Sequence, residues 1–195
     1  MKVNVKDNIK EVTKWTTSVQ KKQIPFATAN AINQTLFQTR KVMMKQTQQK
    51  LDNPTPFTVK SYLVDKAKKT KLSGMLFIRE AAEKYLKFQI DGGTRTSGKK
   101  FSIPTSNAKL NKYGNIIGKR TGLVKKKNQF LRTINGITGV WERQKDNTLK
   151  LIIALKNSAN YRPKLPFYTI AEKYAASRFN KNFINAMNKA LKTAK

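Results

Sequence analysis

The sequence predicts an α+β protein: a small mixed or antiparallel sheet of about four strands, packed by two N-terminal helices and a long C-terminal helix, with a long irregular basic arm. Three observations predict it. Apolar residues recur three and four apart over residues 5–47 and again over 167–191, as one face of a helix requires. Between these ends, short apolar stretches bounded by turn residues read as strands. Residues 92–118 follow neither pattern, which in a packed domain marks a functional or partner-ordered segment. At 195 residues the chain fits one domain, 1–195, with the arm at 92–118 inside it.

Val5, Ile9, Val12, Trp15 and Val19 define the first helix. Ile24-Pro25 interrupts it, and Pro25 suits the first turn of a second helix. There Phe26, Ala29, Ile32/Asn33, Leu36, Arg40, Met43 and Thr47 form the inward face, and the Gln-, Asn-, Thr- and Lys-rich remainder reads as the solvated one. Asp52-Asn53-Pro54-Thr55-Pro56 stops it near Leu51. Residues 57–61 form one turn with Thr58 as its cap. Two strands follow, 62–67 and 74–79, joined by an exposed Lys-rich loop at 66–71. Residues 80–90 are a short helix with Ala82, Leu86 and Ile90 inward, ended by Gly92-Gly93.

Within the basic segment, residues 101–104 are a short extended piece, and 108–116 a loop turned at Tyr113-Gly114-Asn115. From 119 onward Val124, Phe130/Leu131 and Ile134 return to helical spacing, which predicts a basic helix. Residues 138–144 and 148–155 form a hairpin turned at Asp146-Asn147. Leu149, Leu151, Ile153 and Leu155 lie on one face and Ile152 and Ala154 on the other, so this strand is central. A loop over 157–166 leads into the last helix, whose stripe of Tyr174, Phe179, Phe183, Met187 and Leu191 is expected to lie across the sheet.

The formal net charge is +31, from 41 Lys and Arg against 10 Asp and Glu. Such a surface calls for nucleic acid, an anionic membrane or an acidic protein neighbour. Cysteine and histidine are both absent, which removes disulfides, thiolate metal sites and the usual general base. Glu80 with Glu83, near Asp65, reads as an acidic helix start, and no phosphate-cradling Gly-rich loop is present. The expectation is therefore a non-enzyme that takes no metal and no cofactor. No apolar run reaches the roughly 18 residues that cross a bilayer. The first residues also lack a secretory h-region, so a soluble product made in the cytoplasm is expected.

Residues 92–141 contain eleven Lys and Arg and no acid. The candidate partner- or DNA-facing residues are Arg95, Lys99, Lys100, Lys109, Lys112, Tyr113, Lys119, Arg120, Lys125, Lys126 and Lys127. Lys125, Lys126 and Lys127 read equally as the wet face of a helix. No zinc finger, basic heptad or RNP-like strand is present, so any nucleic acid would be bound without sequence preference.

Four motifs occur in order: Asn53-Pro-Thr-Pro-Phe-Thr, Tyr85-Leu-Lys-Phe-Gln-Ile-Asp-Gly-Gly-Thr-Arg, Ala108-Lys-Leu-Asn-Lys-Tyr-Gly-Asn-Ile and Gly139-Val-Trp-Glu-Arg. The set resembles a family of tailed-bacteriophage virion proteins, the neck and minor tail proteins. Ile24-Pro-Phe-Ala-Thr-Ala-Asn-Ala-Ile-Asn-Gln-Thr is similar to the start of the minor tail protein Z family, and Leu165-Pro-Phe before a long helix resembles the end of head–tail joining and tail-completion proteins. The resemblance covers residues 24–191. It implies a structural subunit, a head–tail connector or minor tail protein forming a ring at the portal–tail junction. Its partners would be further copies of the chain, portal or adaptor and tail proteins, and packaged DNA without sequence preference, with no membrane. Its place would be the virion. The alternative class is a sequence-independent nucleic-acid-binding protein, and a third is an accessory lytic enzyme or nuclease.

Overall fold

The N-terminal helix α1 (Ile9–Ser18) does not stop before Pro25; it widens into a π-helical turn, Val19–Gln23, and continues as α2 (Ile24–Lys50). A proline removes one backbone donor and crowds the carbonyl four residues earlier, and a wider turn just before it makes room for the ring. The computed structural model that shows this describes residues 9–117, 122, 124 and 126–192.

The buried row of α2 is Ala27, Ala31, Thr35, Thr39, Met43 and Thr47, each four residues from the last, with Ala29 buried beside it. Ala29, Met43 and Thr47 are inward as expected, but Thr35 and Thr39 belong to the face expected to be wet, and Phe26 and Phe37 lie exposed under the ammonium groups of Lys69 and Lys66. The reversal has a physical cause. Thr35 and Thr39 donate their hydroxyls to the carbonyls of Ala31 and Thr35, both at 2.8 Å, so a row of small residues is buried with those hydroxyls satisfied.

By its internal contacts the chain, expected as one domain, divides into two compact units of discontinuous segments. The first comprises Met1–Gln46, Val59–Ala82 and Phe167–Lys195. In it β1 (Tyr62–Asp65) pairs antiparallel with β2 (Met75–Ile78), close to the expected bounds. Asn33 of α2 bridges both backbone groups of Ala67, at 3.0 and 2.8 Å, and Arg40 Nε donates to the Tyr62 carbonyl at 2.8 Å. Helix α5 (Phe167–Lys192), expected to lie across a single sheet, belongs here with α2 and the two-stranded hairpin. Phe167 stacks on the buried Tyr62, and Asn182 Nδ2 donates to Thr35 Oγ1 at 2.9 Å and Gln38 Oε1 at 3.0 Å.

The second unit comprises Thr47–Thr58 and Glu83–Pro166. Helix α3 (Pro56–Val59) is capped by Thr55, which accepts from the Thr58 amide at 3.3 Å. Thr58 was the expected cap, but Pro56 is preset for the first helical position, which makes its predecessor the cap. Helix α4 (Glu80–Ile90) has the expected bounds and ends at Gly92 and Gly93, both with positive φ. Strands β3 (Gly93–Pro104), β4 (Gln129–Ile134), β5 (Ile137–Arg143) and β6 (Leu149–Tyr161) form one antiparallel sheet in the order β3-β6-β5-β4. The expected α+β class and the central β6 are present, but the four strands expected as one sheet are divided. β1 and β2 form a two-stranded sheet, and β3 and β4, not expected as full strands, flank β5 and β6 in the four-stranded one.

Two expectations in this unit are corrected. Residues 93–104 are a strand, so the irregular stretch starts only at 105. Where a helix was expected from 119 onward, residues 126–128 form a turn and Gln129–Ile134 are strand β4. Asn135 and Gly136, at φ 50° and 75°, make the two-residue turn that folds β4 back on β5, and this turn outweighs an apolar spacing that fits either structure. Gly139 of β5 sits so close to β6 that a Cβ would lie 2.7 Å from Leu151 Cδ1 and press on the Ile153 carbonyl. Val140 and Ile153, register partners, form with Leu86 and Leu165 the buried apolar core of this unit. Among the described residues no helix is long and apolar enough to cross a membrane.

Candidate functional site

Strand β3 carries the first of the candidate residues. Its register with β6 runs from Gly93↔Tyr161 to Thr96↔Ser158, and resumes at Phe101↔Lys156. Residues 97–100 thus oppose the single Asn157, a bulge that holds Lys99 and Lys100. Arg95 pairs with Ala159, and its guanidinium lies 5.9 Å from the Phe88 ring centre and 5.2 Å from that of Phe101. Lys87 sets its ammonium 5.1 Å from the Phe88 centre, and Tyr161 packs against the same ring at 5.7 Å. Cation, ring, cation, ring therefore alternate from the end of α4 onto β3. No carboxylate pairs with Lys87, Arg95 or Lys100 among the described residues.

Lys109, Lys112 and Tyr113 lie on a loop that is built, not slack. Leu110 bridges to Ile116, and Asn111 Oδ1 accepts from the amides of Tyr113 and Asn115 at 2.9 and 3.1 Å. Gly114 takes φ 74° at the expected Tyr-Gly-Asn turn and donates to the Asn111 carbonyl. One asparagine thus fixes the loop through its side chain. Lys109 and Lys112 are exposed, and the Lys112 ammonium sits 5.2 Å from the Tyr113 ring centre.

Lys126 is not a free cation: its Nζ lies 3.3 Å from Glu142 Oε2. Gln129 Nε2 donates to the same oxygen at 2.6 Å and Gln144 to Oε1 at 3.4 Å. The Gln129 hydrogen bond, more than the Lys126 charge, holds the Glu142 carboxyl below its usual range, against an opposing push from burial. Lys127 is exposed. Lys119, Arg120 and Lys125 lie outside the described residues.

Two cavities flank these groups. One of about 270 Å³ is lined by Asn53, Pro54, Thr55 and Thr58, by Tyr85, Leu86 and Gln89 of α4, by Tyr113 and Asn115, and by Lys164. Lys164 ion-pairs with Asp52 at 2.9 Å, and its amide donates to the Gln89 carbonyl at 2.8 Å. The other, of about 320 Å³, brings Lys109 and Lys126 together with Glu142 beside Ile117 and Ile152. Among the described residues no three metal-ligating side chains gather.

The structure thus places Arg95 and the bulge that carries Lys99 and Lys100 on one strand, and Lys109 with Lys126 around one cavity. Sequence reasoning missed Lys87, Phe88, Phe101 and Tyr161. A signal was present: Lys87-Phe88, Lys100-Phe101 and Tyr161-Arg162 each set a cation beside a ring. The positive charge is also not confined to the arm. The segments of one unit hold 21 Lys and Arg against 5 acids, and those of the other 20 against 5. Compared with protein-family models, curated proteins and solved structures, the chain matches none of them.

Proposed function

We propose that this chain is a structural virion subunit of a tailed bacteriophage, a neck or tail-completion protein that assembles as a ring at the portal–tail junction. Its neighbours there would be further copies of itself, the portal or adaptor, and tail proteins. The observation that carries the proposal is spatial. Residues from three of the four ordered motifs, at 53–58, 85–89 and 113–115, line the same cavity of about 270 Å³. Motifs far apart in the chain thus mark one structural feature.

A second observation supports assembly. The sheet-bearing unit buries Leu86, Val140, Ile153 and Leu165, yet leaves Phe57, Ile103, Leu110, Ile117, Val124, Leu131, Ile137 and Leu149 exposed. Among its described residues this unit has twice as many exposed large apolar side chains as buried ones, and it gains by covering them with a neighbour. An acidic portal or tail surface would also offset the repulsion among +31 subunits. Peptide mass spectrometry of purified phage particles encoding this chain tests the proposal. A fixed stoichiometry in particles is the expected result, and its absence from particles that are complete and infectious would sink it.

A further inference from the structure

Arg95 is half-buried between two aromatic rings, yet its guanidinium meets no carboxylate, and none of its N–H donors finds a protein acceptor among the described residues. Holding a planar fork between rings removes rotamer freedom in advance, so little more is lost when an anion arrives. Unspent donors on a fixed cation point to a ligand from outside the chain. The Lys87 ammonium lies 5.1 Å from the Phe88 ring centre, and Tyr161 packs against the same ring. Arg95 and Gly93 share a face of β3, and Gly93 is the register partner of Tyr161, so two cations and the rings of Phe88 and Tyr161 form one patch within one unit, which the Arg95 guanidinium extends to Phe101.

We infer that this patch binds the phosphodiester backbone of nucleic acid without reading its sequence. Arg95 would fork onto a phosphate, Lys87 would meet a neighbouring one as a point charge, and the face of Tyr161, over which no described cation lies, would offer stacking to a base. The rings decide between this ligand and an acidic protein. Carboxylates on a partner need only the cations, whereas alternating rings and cations match the alternation of base and phosphate along a strand. The assignment does not rest on the ring proposed above, because it uses only the surface of a single copy.

The test is fluorescence anisotropy of the full chain with a labelled oligothymidylate of about 20 nucleotides, titrated at several salt concentrations. Variants are Arg95→Ala, Arg95→Lys and the double variant Lys87→Ala/Arg95→Ala, with Lys21→Ala/Lys22→Ala as a control of equal charge in the other unit. The Lys87/Arg95 variant is expected to bind at least about tenfold more weakly and to flatten the slope of log K against log salt by about 1.4. Arg95→Lys is expected to weaken binding without loss of charge, and the control by less than about twofold. Equal loss in the control, or displacement of the oligomer by polyglutamate as readily as by unlabelled oligothymidylate, overturns the inference. A chain that binds the oligomer through this patch but forms no ring would leave the inference standing and remove the proposed assembly.

Discussion

Glu142 shows most directly how a single residue answers the basic segment. It ends the acid-free stretch that begins after Asp91, and Gln129, Lys126 and Gln144 all converge on its carboxylate. Its folded pKa is lowered, first by the Gln129 hydrogen bond, so it favours the fold above its unfolded value and loses that effect as pH falls through the folded one. Melting temperature is therefore expected to drop below about pH 4.5, and Glu142→Gln to blunt that drop while lowering stability at pH 7. Identical acid sensitivity in both proteins would contradict the assignment. Gly139 is the matching case in packing. Its Cβ-free backbone lets β5 approach β6, and Gly139→Ala is expected to cost about 1–3 kcal/mol in denaturant unfolding, against under about 0.5 kcal/mol for an exposed site such as Lys127→Ala. Glu142 was visible in the sequence as a boundary, but Gln129 was not, since only the β4–β5 register brings the two together.

Elements with their own strong period were legible from the residues alone. Helix α4 has the predicted bounds, α5 overruns its predicted end by one residue, and β6 is central as its two apolar faces required. The failures share a cause: a partner outside the local window settled the structure. Strand β3 is paired by β6, and its bulge at 97–100 breaks the alternation that would have announced it. Strand β4 has apolar spacing compatible with a helix, and its Asn135-Gly136 turn was the overlooked signal. Gly136→Val is expected to destabilise the protein by about 1–3 kcal/mol, because a β-branched residue resists φ 75°. In α2 the burial of Ala29, Met43 and Thr47 was legible, but that of Thr35 and Thr39 was not, because a back-bonded threonine satisfies its own hydroxyl. Asn182, which bonds to Thr35 and Gln38 from α5, is the polar tie on that face. Asn182→Ala leaves those partners short of a donor and is expected to cost about 1–3 kcal/mol, measurable by denaturant titration.

At the scale of the molecule the arm is redefined, and with it the account of assembly. What read as one irregular basic segment from 92 to 118 is a strand to Pro104 followed by a loop fixed by Asn111. The α+β class was legible from periodicity, whereas the division into two units was not, because each unit is stitched from distant segments. Trypsin is expected to cut the isolated chain first at the exposed Lys109, Lys112, Lys126 and Lys127 and to spare them in the assembly. Equal cleavage in the two states would remove the arm from the contact surface. The exposed apolar side chains of the sheet unit and the +31 charge both predict a protein that is completed by neighbours. Native mass spectrometry of the purified full chain, alone and mixed with the portal and tail proteins proposed as its neighbours, tests that claim most directly. A closed ring of one defined copy number is the predicted result, and a chain that stays monomeric in every mixture would contradict it.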